Sequence, residues 1–260
     1  MSSVNKSLHG FLKRKFKTNI ITPDNAVSVI TCTNQTNSID TIINNFNRQD
    51  YPKKELIIII NNNDEIVLKD WKNRVKNLDN INVYKISEKI SLGKCLNLGV
   101  SKAKYGIISK FDDDDYYGPN YLSEVVRCFD FTRAKLIGKG CTFVYLANTK
   151  LLTIRNPHEE NKYTNFVNGS TLTFKKEIFN KVSFKDITVG EDIEFCKECV
   201  KNNILIYSCS RYNHAYIRYP SKNKHTWIIE DDDLINLCCK PHVYKKFIKD
   251  INELKFYVDI

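Results

Sequence analysis

At 260 residues and 42% hydrophobic content, the chain has enough apolar material for one large domain or two intimately packed halves. Its net charge of +10 favours anionic partners (phosphorylated ligands, an anionic acceptor or a membrane surface), and with no recognition motif beside the charge, nucleic acid is not expected. Nine cysteines, an odd number without framework spacing, speak against a disulfide scaffold, and the Cys196/Cys199 pair lacks the second pair that zinc would need.

Residues 1–25 read as a basic tail, with Lys13, Arg14, Lys15 and Lys17 close together and no continuous apolar core of a secretory signal. No apolar run approaches the roughly 20 residues of a membrane span. A cytoplasmic protein is therefore expected, with peripheral contact at the inner membrane face left open.

From residue 27 the chain alternates strands and helices. VSVIT at 27–31 is a β-branched strand, and a polar turn follows at Thr33, Asn34 and Gln35. Ile39, Ile42, Ile43 and Phe46 then recur on one helical face, with Ser38 as N-cap. ELIIII at 55–60 is continuously apolar, as in a strand covered on both faces. Its carboxyl end is the polar turn Asn61, Asn62, Asn63, Asp64. Val67, Trp71 and Val75 mark a second helix, 81–86 a third strand, and SLGKCLNLGVSKA at 91–103 a third helix. Units of about 25 to 30 residues in this order predict a parallel α/β sheet with right-handed crossovers. Neither GxGxxG nor a Walker sequence occurs in the turns, so a dinucleotide fold and a P-loop are unsupported.

The fourth strand carries the strongest signal. In YGIISKFDDDDYYGPN (105–120) an apolar run stops at Asp112, Asp113, Asp114 and Asp115, and a turn with Gly118 and Pro119 follows. Adjacent carboxylates repel unless a cation neutralises them, and hard oxygen ligands suit Mg²⁺, Mn²⁺ or Ca²⁺. In open α/β sheets ligands bind outside the carboxyl ends of the strands. A solvated acidic turn is the competing explanation.

Beyond Pro119 a helix carries Leu122, Val125, Val126 and Phe129, and the pattern then changes to mixed α+β. A hairpin is expected around Asn148 and Thr149, and a loop at Asn168, Gly169 and Ser170. Val189, Gly190, Glu191 and Asp192 precede a helical face of Ile193, Cys196 and Val200. Strands are expected at 204–208 and 212–218, with His214 as a core histidine. A Lys-rich loop at 220–224 leads to His225, Thr226 and Trp227, and Asp231, Asp232 and Asp233 open a C-terminal helical segment, 231–260.

Taken together, VSVITCTN (27–34), Gln49 with Tyr51 and Pro52, ELIIIINNND (55–64), SLGKCLNLGV (91–100), FDDDDYYGPNYL (111–122) and GED (190–192) resemble glycosyltransferase family 2, the inverting enzymes of the GT-A fold. The resemblance covers about 26–230 and is nearest to small bacterial enzymes of surface or spore polysaccharide assembly that end in an HTW element, here 225–227. It implies a nucleotide-sugar half at 26–118 and an acceptor half at 119–230. It further implies a nucleotide-diphosphate sugar donor, expected to be UDP-linked, a hydroxyl acceptor such as a glycan, and Mn²⁺ or Mg²⁺. Thr33, Asn34, Asn62, Asp64, Lys94, Asp112 and Asp113 would hold the donor. Asp114 and Asp112 would bind the metal with Asp115 close by, and His225 would complete its shell. Asp192 would be the catalytic base and Glu191 would orient the acceptor.

Two features depart from the family. The second strand normally ends in an Asp-Asp-Gly-Ser-like turn rather than Asn61, Asn62, Asn63, Asp64, and Cys95, Leu96 and Asn97 replace the usual ARN. Two other functions compete. A sugar nucleotidyltransferase would open with a Gly-rich, Arg- and Lys-containing loop, and TCTNQTN at 31–37 has neither Gly nor Arg. A degenerate transferase acting as a carbohydrate-binding or scaffold subunit fits the atypical second turn but not the retained Asp112, Asp114 and Asp192. Blander roles exist for single residues: Thr33 as a helix cap, Glu191 and Asp192 as first-turn acids worth about 0.3–1 kcal/mol, and Trp227 as core.

Overall fold

A computed structural model describes residues 25–220, 229–238 and 245–260. The basic tail, the 221–224 loop, His225 and Trp227 lie outside the described residues.

The first half folds as its apolar pattern predicts: β1 (Val27–Thr33), α1 (Ile39–Arg48), β2 (Lys54–Asn61), α2 (Glu65–Val75), β3 (Ile81–Ile86), α3 (Leu92–Lys102) and β4 (Ile107–Lys110). β3, β2, β1 and β4 lie side by side and parallel. The isoleucine run of β2 shows why it needs no polar face. Leu56, Ile58 and Ile60 enter one core with Phe46 of α1 and Trp71 of α2, while Ile57 and Ile59 enter the other with Leu96 and Val100 of α3.

The second half contributes β5 (Tyr116–Tyr117), α4 (Tyr121–Phe131), β6 (Leu136–Gly138), β7 (Thr142–Leu146), β8 (Leu151–Arg155), β9 (Lys162–Thr164) and β10 (Thr173–Lys175). These are followed by α5 (Glu191–Lys201), β11 (Ile206–Ser208), β12 (His214–Arg218), α6 (Asp231–Cys238), β13 (Lys245–Phe247) and the short α7 (Lys255–Val258). It does not merely pack beside the parallel sheet. β10 runs antiparallel to β4 and carries the first sheet on through β6, β11 and β9. The remaining strands form a second sheet in the order β13-β8-β7-β12-β5.

The expected hairpin is present as β7 and β8. The 231–260 segment is more than helical: β13 pairs with β8, and Leu234 of α6 packs on Val144 and Leu146. Ser38 precedes α1 as expected but makes no capping bond; its hydroxyl donates to the Gln35 carbonyl at 3.2 Å. Cys95, Cys128, Cys141, Cys196, Cys199 and Cys209 are buried free thiols, and Cys32 is a half-buried one. Among the described residues no helix is long and apolar enough to cross a membrane.

Candidate active site

The carboxyl ends of β1, β2 and β4 open on a cleft of about 430 Å³, closed on its other sides by the start of α5 and by β7, β8 and β12 of the second sheet. Asp112, Asp113 and Asp114 line it from one side, and Glu191 and Asp192 from another. Two acidic turns almost 80 residues apart in sequence therefore share one cavity.

The four aspartates of the first turn have four different environments. Asp112 is half-buried and ion-paired with Lys110, and its backbone N–H donates to Tyr117 Oη at 2.8 Å. Tyr117 Oη donates in turn to the Ser170 carbonyl at 2.6 Å, and its ring stacks on Phe111 with centroids 3.8 Å apart. Asp113 accepts a hydrogen bond from Thr33 Oγ1. Burial, followed by the charges of Asp114 and Asp112, pushes its pKa up to about 7. Asp114 faces the cleft. Asp115 does not line it. At 1% exposure it accepts from the Ile217 N–H at 3.0 Å and meets His214 Nε2 at 3.2 Å, so it fastens the turn to β12. Burial raises its pKa to about 7 and lowers that of His214 to about 3, leaving a neutral imidazole as expected of a core histidine.

Lys110 is a charged cleft residue that was not expected from the sequence. It ends β4, is almost fully buried, and borders the cleft. Burial works against its ammonium, but Asp112, Glu191 and Asp192 outweigh that and hold its pKa above the usual lysine range. A lysine two residues before an acidic run, inside an otherwise apolar strand, is a signal that was available in the sequence.

The second turn begins at Gly190, whose φ of +81° is in the left-handed region that favours glycine. Glu191 is buried, and desolvation raises its pKa to about 7 against the attraction of Lys110. Asp192 remains partly exposed. Across from it, the backbone of Gly169 approaches so closely that a Cβ there would lie 2.4 Å from Asp192 Oδ2. The expected loop at 168–170 is a 3₁₀ turn, and it packs directly on the candidate base.

Other expected residues sit elsewhere. Thr33 and Asn34 line the cleft, whereas Asn62, Asp64 and Lys94 are absent from its described lining. Asn62 Oδ1 accepts from the Asp64 N–H at 2.8 Å, and Asp64 Oδ1 caps α2 through the Ile66 N–H at 2.8 Å. These side chains hold the turn, and Asn61 lines the cleft in their place. Lys94 is turned outward to Asp186, 2.6 Å away. Thr142, Arg155, Asn168 and Tyr216 also line the cleft; short strands bring Thr142, Arg155 and Tyr216 there, and Asn168 enters from the start of the 3₁₀ turn in the expected loop.

Among the described residues no group of three or more His, Cys, Asp or Glu is arranged to hold a metal on its own. The donor set is nonetheless suited to a hard divalent cation shared with another ligand, because the carboxylate oxygens of Asp112, Asp113 and Asp114 crowd one turn on the cleft. His225, expected as a further ligand, lies outside the described residues.

The family model for glycosyl transferase family 2 matches residues 28–186, more than half of the chain, from β1 to just before the second acidic turn. The O-antigen biosynthesis glycosyltransferase WbnJ of Escherichia coli is 31% identical over 150 residues, 55% of this chain and 57% of WbnJ. Two solved structures share the fold. TarS 1-349 of S. aureus in complex with UDP-GlcNAc has a TM-score of 0.60 at 16% identity, covering 81% of this chain and 64% of that one. The mannosyltransferase PcManGT of Pyrobaculum calidifontis in complex with GDP-Man and Mn²⁺ has a TM-score of 0.58 at 16% identity, covering 84% of this chain and 66% of that one. The fold is GT-A. The matches span less than two thirds of the length of each of these three relatives.

Proposed function

The chain belongs to glycosyl transferase family 2, and on that footing we propose that it transfers a sugar from a nucleoside-diphosphate donor to an acceptor hydroxyl, with inversion at the anomeric carbon. The observation that carries this reading is the meeting of the two acidic turns in one cleft. Glycosyl transfer needs a place for an anionic leaving group and a base for the acceptor, both correctly oriented.

Thr33, Asn34 and Asp113 form the donor end, with the Thr33–Asp113 hydrogen bond fixing β1 to the acidic turn. Asp112 and Asp114 would hold a divalent cation, Mn²⁺ or Mg²⁺, whose chemistry is to neutralise the diphosphate. Lys110 pairs with Asp112 and holds it in place. Asp192 takes the proton of the acceptor hydroxyl as its oxygen bonds to the anomeric carbon and the bond from that carbon to the diphosphate breaks. Glu191 orients the acceptor. A UDP-linked donor and a surface-polysaccharide acceptor are the specific forms we favour; TarS was crystallised with UDP-GlcNAc, and WbnJ is named for O-antigen biosynthesis.

The test is release of nucleoside diphosphate from a panel of sugar nucleotides with Mn²⁺, with Mg²⁺ and with chelator. One donor should be consumed faster than the others, and chelator should suppress it. If the folded protein consumes none under any condition, the proposal fails.

A further inference from the structure

The loop that leads into the second acidic turn is held against α3 and the residue before it. Ser91 Oγ donates to Asp186 Oδ1 at 2.7 Å, and the Gly93 N–H donates to the Ile187 carbonyl at 3.0 Å. Asn97 grips Phe184 with both ends of its amide: Nδ2 donates to the Phe184 carbonyl at 2.8 Å, and Oδ1 accepts from the Phe184 N–H at 3.0 Å. Gly93 permits this approach, since a Cβ there would lie 1.8 Å from the Lys185 carbonyl oxygen. Ser91, Gly93 and Asn97, to which the transfer reaction gives no direct task, therefore fix residues 184–187.

The backbone so fixed leads to apolar side chains that face water. Val189 is 62% exposed, and Ile193, in the first turn of α5, is 44% exposed. Both line the cleft, where Leu92 and Phe166 add two half-buried apolar side chains. In sequence Val189 and Ile193 bracket Gly190, Glu191 and Asp192, so apolar residues flank the candidate base. Single exposed apolar residues are ordinary on a protein surface. These differ in lining one cavity, and in following a loop that hydrogen bonds hold in place.

We propose that Val189, Ile193, Leu92 and Phe166 form an apolar subsite for the acceptor's aglycone, so that the acceptor is a glycoside of an alkyl-chain alcohol. The occupant follows from continuity with the cleft. A group resting on residues that bracket Asp192 lies next to the hydroxyl that Asp192 deprotonates, and an alkyl chain is the part of such a molecule that gains by leaving water. The pinned loop preorganises the subsite, which spares the cost of ordering it on binding. The donor end is of different character, lined by Thr33, Asn34, Asn61 and the aspartates. The subsite deepens the transfer reaction proposed above and rests on it.

The test measures binding rather than turnover. Hexyl glucoside and methyl glucoside are titrated by calorimetry into the protein in the presence of UDP and Mn²⁺. The hexyl glycoside should bind about tenfold or more tightly than the methyl one, roughly what burying two methylenes gives. The double variant Val189→Ser, Ile193→Ser should erase that preference; both side chains are exposed, so their loss leaves the core intact. Val189→Ile should keep the preference, which separates apolar contact from a disturbed turn. Equal binding of the two glycosides by the unmodified protein, or binding of neither, overturns the proposal. So does a preference that survives the double variant, or a double variant that loses UDP affinity instead, because the apolar residues would then serve the donor. A chain-length preference in a protein that consumes no sugar nucleotide would support the subsite and count against the transferase reading. No preference in a protein that does consume one would remove the subsite alone.

Discussion

The two acidic turns that face each other across the cleft are held in opposite ways. The first is fastened on several sides. Thr33 binds Asp113, Tyr117 Oη takes the Asp112 N–H, Asn45 Nδ2 reaches the Asp115 carbonyl at 2.8 Å, and β12 grips the Asp115 carboxylate. The second turn opens a helix after a left-handed glycine; its Asp192 is partly exposed and has the Gly169 backbone against it. Charges that must sit at fixed positions are anchored in buried hydrogen bonds, which resist reorganisation. In the proposed reaction, the carboxylate that exchanges a proton with the acceptor is the one left reachable.

That contrast can be broken at either turn. The largest expected effect is on chemistry: Asp192→Asn should lower turnover by about 10²–10⁴, the usual worth of a general base, with donor affinity near that of the unmodified protein. If donor affinity falls while saturated turnover holds, Asp192 binds rather than catalyses. Gly169→Ala comes next. Its Cβ would overlap the Asp192 carboxylate, and displacing a reacting group by about 1 Å can cost roughly 10² in rate. Unchanged steady-state kinetics would show that Asp192 need not occupy its present position.

At the first turn the expected effect is on stability. Tyr117→Phe removes the hydroxyl that serves both the Asp112 N–H and the Ser170 carbonyl, and urea denaturation should show a loss of about 1–3 kcal/mol. Loss of activity at full stability would mean that the hydroxyl acts on the donor directly. Gly190→Ala is the mildest, costing about 1–2 kcal/mol for a left-handed alanine. Among the described residues nothing beyond its chain neighbours lies within 4 Å of the added Cβ, so the cost is conformational. A stability change near zero would show that the turn relaxes to another geometry.

How much of this was legible in the sequence follows from the range of the interactions. The parallel strands were readable because each is a local apolar run: Ile57 and Ile59 face one core, Ile58 and Ile60 the other, and no solvent face interrupts the pattern. The acidic turns were readable because adjacent carboxylates are conspicuous at any position. What could not be read was pairing. Three-residue β10 carries no periodicity, yet its Thr173–Ser109 register joins the two halves into one sheet. The assignments of Asn62, Asp64 and Lys94 followed the family pattern at places where this chain departs from it. The Asn62 and Asp64 side chains satisfy backbone N–H groups of their own turn and of α2. Arg155 and Asn168 belong to the cleft through β8 and a 3₁₀ turn, and nothing near them in sequence announces that.

The most direct test of the division of labour is a titration of UDP, with and without Mn²⁺, into the unmodified protein, Asp114→Asn and Asp192→Asn. The account predicts that Mn²⁺ strengthens UDP binding in the unmodified protein and in Asp192→Asn, and that Asp114→Asn loses this increment. Loss of the increment in Asp192→Asn, or its survival in Asp114→Asn, would contradict the assignment of the two turns.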